Sequence, residues 1–104
     1  MRKFEYRTPR LRGNFSVDFL MSDHALHGHC INVSDTGIRA TLDGDVLAGG
    51  TGSLILRHSR HTLTVQAVVT HLQIGEVGFS FIFHTEEQRE LARKFLALVL
   101  EHED

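Results

Sequence analysis

The 104-residue sequence contains one cysteine, one proline and no tryptophan, and it has no long apolar run. A single cysteine, Cys30, excludes an internal disulfide and suits a reducing compartment. No stretch approaches the ~20 apolar residues that cross a bilayer, and the start of the chain lacks the apolar segment of a signal peptide. We therefore expect a soluble, cytoplasmic protein that does not insert into membranes.

Motifs for catalysis and for metal binding are also missing. No Ser, Cys or Asp stands in a recognised nucleophile motif, and the Gly-Gly-Thr-Gly segment at 49–52 lacks the lysine and helix of a Walker loop. His27 and His29 would share one strand face while Cys30 points to the other, so zinc would need further ligands such as His71 or His84. We expect no catalytic residue, no enzyme activity, no metal and no cofactor.

Charge is distributed unevenly along the chain. The net charge is −2, yet residues 1–12 contain five Lys and Arg residues against one Glu. This division predicts a flexible basic arm at 1–12 and one compact domain at 13–104. A mildly acidic domain with a basic arm argues against binding to a nucleic acid polymer, which would need a basic face on the domain, and favours local contact with an anion.

Alternation of apolar and polar residues predicts that the domain is mainly β. Period-two patterns begin near six positions along the chain: Phe15, Ala25, Ile38, Ser53, Leu63 and Val77. Turns at 22–24, 58–61 and 75–76 predict hairpins in a meander-like order, and 43–52 reads as a glycine-rich loop. Because open sheet edges invite unwanted pairing, we expect the six strands to close into an antiparallel β-barrel.

After Phe83 the apolar period lengthens to about 3.6, which predicts a C-terminal α-helix over about 85–102. Thr85 and Gln88 have the spacing of a capping box. Glu90 and Lys94 can pair on the wet face. We expect the apolar stripe of this helix to close one end or side of the barrel; the alternative is a dimer or partner surface. The stripe contains Leu91, Ala92, Phe95, Leu98 and Val99.

The segment Asn32-Val33-Ser34-Asp35-Thr36-Gly37 and the arginines of the arm together suggest a small-anion site. Asn and Ser side chains bond nearby backbone amides, and we expect Gly37 to adopt the positive φ that reverses the chain. Arginine has a rigid fork of donors that matches phosphate oxygens and the acceptors of guanine. Taken alone, this segment is more often an ordinary hairpin turn, and a terminal arginine run is more often a solvated tail.

The order of these elements resembles the PilZ domain family, bacterial receptors for the second messenger cyclic di-GMP. In that family an Arg-x-x-x-Arg motif precedes the first barrel strand, an (Asp/Asn)-x-Ser-x-x-Gly motif follows the second, and a Gly-rich strand and a helix come last. Asn32, Ser34 and Gly37 fill the second motif, and Arg10 matches the second arginine of the first motif. Tyr6 stands where the family has its first arginine.

The resemblance implies that cyclic di-GMP is the ligand, held by Arg7, Arg10, Asn32, Ser34 and Gly37. Three arrangements stay open for the departure: Arg7 replaces the first arginine, Tyr6 stacks on guanine, or the pair shifts to Arg7 and Arg12. The resemblance further implies that the arm orders on binding and signals to a protein of the motility, secretion or exopolysaccharide machinery. The alternative is a degenerate PilZ domain that binds no nucleotide and acts as a protein–protein interaction module.

Overall fold

The structure is a computed structural model, and it describes residues 11–12 and 15–101. The predicted arm therefore lies outside the described residues apart from its last two positions. The elements of the described part are, in chain order, β1 (Leu11–Arg12), β2 (Ser16–Leu20), β3 (Ala25–Val33), β4 (Gly37–Leu42), β5 (Thr51–His58), β6 (His61–Gln73), β7 (Glu76–Ile82) and α1 (Glu86–Glu101).

Six strands close into an antiparallel barrel in the order β3-β2-β5-β6-β7-β4, with β4 pairing back onto β3. β3 pairs with β4 along one edge and with β2 along the other. β1 pairs with the last two residues of β3, on the same edge as β2. These pairings confirm the predicted fold, a six-stranded antiparallel barrel with a C-terminal helix. The predicted meander order is wrong, because β2 pairs with β5 and β4 pairs with β7.

The connection between β4 and β5 accounts for this difference. β4 and β5 lie on opposite sides of the barrel, so residues 43–50 must cross one of its ends. Val46 packs against the core, and two backbone hydrogen bonds of 2.8 Å join Gly49 and Gly50 to Val69 of β6. The loop thus closes this end of the barrel. β5 also begins two residues earlier than predicted, at Thr51.

The barrel interior is filled by the apolar residues of the period-two patterns. Val17 and Phe19 of β2 are completely buried, as are Leu54 and Leu56 of β5. Phe19 meets Phe79 of β7 edge to face, with ring centroids 4.8 Å apart. Each such side chain contributes roughly 1.5–3 kcal/mol when it is fully buried. The alternation therefore decided which face of each strand points inward.

α1 covers the other end of the barrel. Thr85 Oγ1 accepts a hydrogen bond from the Gln88 backbone N–H at 3.1 Å, and the Gln88 side chain accepts one from the His84 backbone N–H at 2.7 Å. The first bond confirms the predicted Thr85 cap. Phe95 packs edge to face on Phe15, with centroids 5.7 Å apart, and this contact holds the helix where β2 begins.

The buried stripe of α1 differs from the predicted one by a small rotation. Ala92, Phe95 and Val99 are buried, as expected, whereas Leu91 is 51% exposed. Residues three and four positions apart share a helix face, and the stripe 92-95-99 leaves position 91 at its margin. Glu90 pairs with Arg93, at 2.9 Å, in place of the predicted Lys94.

Candidate functional site

The segment Asn32–Gly37 forms the turn between β3 and β4. The Ser34 N–H donates to the Gly37 carbonyl at 2.9 Å, and the Thr36 N–H donates to Ser34 Oγ at 3.2 Å. Ser34 is only 2% exposed, and its Oγ lies 3.1 Å from Thr36 Oγ1. The serine therefore holds the turn in shape from inside, while Asn32 is half-buried one residue before the end of β3.

Gly37 is required for a different reason from the one predicted. Its φ lies outside the left-handed region, which among the described glycines only Gly49 and Gly75 adopt. A Cβ at position 37 would instead lie 2.3 Å from the backbone oxygen of Phe79 on β7. The prediction of a positive φ was wrong because it considered the turn alone. The glycine allows β4 to approach β7 at the point where the turn meets the barrel.

The last two residues of the arm lie directly beside this turn. Arg12 of β1 stands opposite Asn32 of β3, and Leu11 stands opposite Val33. Paired strands lie about 4.8 Å apart, so the backbone of position 12 adjoins the first residue of the turn motif. Of the predicted arginines, Arg12 is thus brought to the turn. Tyr6, Arg7 and Arg10 lie outside the described residues.

Another arginine, absent from the predicted site, stands beside the turn motif on the other edge of β3. Arg39 of β4 is the cross-strand partner of Asn32 and also of Gly78 on β7. Its side chain is 45% exposed and its guanidinium lies 3.8 Å from a carboxylate oxygen of Glu76. The register puts Arg12 and Arg39 on either side of Asn32. Only the pairing of three strands reveals this, since no spacing in the sequence links these positions.

The row of paired residues continues into a shallow depression on the outside of the barrel. Gly78 pairs with His71 of β6, and a Cβ on Gly78 would lie 3.0 Å from the Cβ of His71. The missing side chain leaves a depression of about 170 Å³ between Thr36, Arg39 and His71. His71 Nδ1 donates to the Thr70 carbonyl at 2.9 Å, which leaves Nε2 as the acceptor of the neutral ring.

Asp35 adds an acceptor to the turn. Its Oδ1 is buried and has no hydrogen-bond partner within the described part of the chain. A buried carboxylate oxygen without a partner is costly, and a donor that reached it would relieve this cost. Guanidinium and the Watson–Crick edge of guanine both offer N–H donors of this kind. The motif leaves position 35 variable, so its spacing did not single out this residue.

The best-defined charge cluster lies further along β3. Asp18 on β2 bonds His27 Nδ1 and an Arg57 nitrogen, each at 2.5 Å. Burial acts to raise the pKa of Asp18, but the hydrogen bonds from His27 and Arg57 outweigh it and the pKa lies below its ordinary value. The hydrogen bond to Asp18 raises the pKa of His27. These contacts form a brace that links β2, β3 and β5.

The histidines show no metal site in residues 15–101, where no three His, Cys, Asp or Glu side chains are grouped to hold an ion. As predicted, His27 and His29 are on the outer face and Cys30 is buried inside. Asp18 binds His27 through an ion pair.

No helix in the described ranges is long and apolar enough to span a membrane.

The chain matches one known protein family along most of its length. The model of the PilZ domain matches residues 5–98. The chain belongs to the PilZ domain family. A search of curated proteins gave no significant match. PilZ domains are ligand-binding and regulatory modules rather than enzymes.

Solved structures share the architecture of this PilZ domain. The PilZ domain of YcgR from Escherichia coli with c-di-GMP has a TM-score of 0.80 at 10% identity, with coverage of 94% of this chain and 93% of that one. The PilZ domain of CeSA from a cellulose-synthesizing bacterium has a TM-score of 0.74 at 15% identity, covering 91% and 100%. The MrkH–c-di-GMP complex of K. pneumonia has a TM-score of 0.73 at 17% identity, covering 95% of this chain and 54% of MrkH.

Proposed function

We propose that this PilZ domain is a receptor for cyclic di-GMP, bound where the arm meets the turn Asn32–Gly37. The observation that supports this most is the register of β1, which pairs Arg12, the last residue of the arm, with Asn32 of the turn motif. The ligand carries two phosphates and two guanines, and arginine matches both groups through charge-assisted or bidentate bonds. YcgR and MrkH are relatives of known structure with this nucleotide bound.

The roles in the site follow from chemistry and position. Arg10 contacts guanine or phosphate, and Arg7 assists it or replaces the missing first arginine. Asn32 bonds a second base or phosphate from its half-buried position. Ser34 and Gly37 act chiefly through the turn, the first by its internal hydrogen bonds and the second by permitting close approach to β7.

Arg39 and Asp35 complete the proposed site on the barrel side. Arg39 adds positive charge beside Asn32, and its partner Glu76 is distant enough, at 3.8 Å, for the guanidinium to turn toward a phosphate. Asp35 Oδ1 accepts an N–H from guanine or from an arm arginine.

Binding serves as a switch in a cytoplasmic signalling pathway. The basic arm at 1–12 orders over the domain at 13–104 when the nucleotide binds, and the ordering changes the surface offered to a partner. The partner is a protein of the motility, secretion or exopolysaccharide machinery. Among the similar structures is MotI of Bacillus subtilis, an inhibitor of motility, with a TM-score of 0.70 at 19% identity over all of this chain and 56% of MotI.

Calorimetric titration with cyclic di-GMP tests the proposal. We expect saturable binding, and Arg10→Ala should weaken it by about 1.5 kcal/mol, or roughly tenfold. Arg60→Ala is the matched control, because Arg60 is exposed in the β5–β6 hairpin, whose strands pair with neither β3 nor β4. The nucleotide should also protect the first dozen residues from proteolysis. Absence of heat and of any thermal shift at tens of micromolar nucleotide rejects the receptor function.

The second candidate is a degenerate PilZ domain that acts only through protein contacts, and Tyr6 at the first arginine position favours it. Two substitutions separate the possibilities. If Tyr6→Arg tightens binding, the natural chain is a weakened receptor. If Tyr6→Ala abolishes binding, Tyr6 stacks on a base. If Tyr6→Arg creates binding that the natural chain lacks, the degenerate module is the correct description.

A further inference from the structure

The barrel end that faces away from α1 has an apolar groove. The β6–β7 hairpin, which turns at Ile74 and Gly75, and the loop after β4 form its two walls. The groove has a volume of about 540 Å³, and its apolar lining includes Leu42, Val46, Leu72 and Val77. Ile74 at the tip is fully exposed, and Leu72 is 47% exposed. Exposed aliphatic side chains gathered around a concave surface mark an interaction site.

The two walls of the groove are held in place by backbone contacts. The hairpin turn is closed by Gly75 at φ +80°, and the loop is tied to Val69 of β6 by the two hydrogen bonds described above. Val46 contacts the core from the loop side. A groove of this kind is formed before a partner arrives, so little ordering opposes binding.

The rim of the groove is acidic. Asp45 and Glu76 line it, and the walls at 42–46 and 72–77 contain no lysine or arginine. One guanidinium, that of Arg39, lies 3.8 Å from Glu76. The ion pairs of the described residues do not include Asp45. Complementarity therefore calls for positive charge beside aliphatic side chains in a partner.

We propose that this groove docks a cationic amphipathic segment of a partner protein, with aliphatic residues on one face and lysine or arginine beside them. A second copy of this chain fits less well, since a symmetric contact would oppose the two carboxylates, Asp45 and Glu76, to themselves. The α1 helix of a second copy would not supply the positive charge that the groove requires either, because Glu86–Glu101 contains four acids and three bases. The groove and the proposed nucleotide site meet only at the Arg39–Glu76 pair, and the peptide test is carried out without nucleotide, so failure of one proposal leaves the other intact.

The test uses a fluorescent synthetic peptide of leucine and lysine, about four helical turns long, with leucines three and four positions apart. We expect fluorescence anisotropy to detect saturable binding to the whole protein. The same peptide with glutamate in place of lysine should not bind. Ile74→Ser and Asp45→Lys should each weaken binding about fivefold or more, since they remove an apolar contact and a rim charge. Ile74 is fully exposed, so its replacement removes no core packing.

Two further variants make the test selective. Leu100→Ser changes a leucine that is 57% exposed on α1, outside the groove, and should leave peptide affinity unchanged. Arg39→Gln frees Glu76 from its cation and should tighten binding about two- to threefold. No binding, equal binding of the glutamate peptide, or equal losses in Ile74→Ser and Leu100→Ser would each overturn the proposal. A dimer in sedimentation that Ile74→Ser dissociates would overturn it as well, because the occupant would then be a second copy.

Discussion

Gly37→Ala tests whether the turn motif needs its glycine for close strand approach. A methyl group at this position would start 2.3 Å from the Phe79 carbonyl oxygen, whereas real contacts of this kind are not found under 3.0 Å. The atom in the way belongs to the backbone, so no rotation of a side chain relieves the clash. β4 or β7 must shift.

The shift costs more than a typical substitution because it acts on both strands. Overpacking at a rigid site costs about 3 kcal/mol, and for a domain of this size that lowers Tm by about 15 °C. The turn also moves, since the Gly37 carbonyl accepts from Ser34 and the Thr36 carbonyl accepts from Phe81, both at 2.9 Å. Affinity for cyclic di-GMP should therefore fall about tenfold or more.

Urea denaturation and nucleotide titration measure the two effects. Gly75→Ala is the control, because Gly75 has φ +80° and no atom within 4 Å of an added Cβ. It should cost about 1 kcal/mol through backbone strain and leave nucleotide affinity unchanged. If the free energy of unfolding of Gly37→Ala lies within about 0.5 kcal/mol of that of the natural protein, an ordinary change for a surface site, close approach is not the reason for the glycine.

Two further predictions concern the brace and the helix. The pKa of His27 is raised, so its positive charge stabilises the fold fully below the ordinary value of 6.5, and this stabilisation is lost as pH rises through the raised pKa. The pKa of Asp18 is lowered, so its negative charge stabilises the fold above 3.8, and this stabilisation is lost as pH falls through the lowered pKa. His27→Gln should therefore lose the most stability, relative to the natural protein, between about pH 4 and 6, and less at about pH 9; an equal loss in urea melts at both would contradict the ion pair. Phe95→Ala should cost about 3–4 kcal/mol, because this side chain is 3% exposed against Phe15. Leu100→Ala should cost under about 0.5 kcal/mol, and similar thermal melts for the two variants would show that α1 does not pack as described.

Part of the candidate site depends on local spacing and part on residues that are distant in the sequence. The spacing of Asn32, Ser34 and Gly37 was enough to identify the turn, because local hydrogen bonds between neighbours in the chain build it. The role of Gly37 depended on Phe79, which is 42 positions away in the sequence and cannot be inferred from the turn. Arg39 was missed for the same reason: its place beside Asn32 follows from the pairing of β3 with β4.

The sequence by itself determined the barrel strands, their inward faces, the hairpin turns and the C-terminal helix. Each of these depends on neighbours a few residues apart, so the periods of two and 3.6 carry the information. Tertiary structure alone decided which strands are adjacent. β2 pairs with β5 and β4 with β7, across long stretches of chain, because residues 43–50 cross one end of the barrel and do not form a hairpin that would pair β4 with β5. That closure also brings Asp45, Glu76 and the exposed leucine and isoleucine to one groove, a juxtaposition that no local pattern contains.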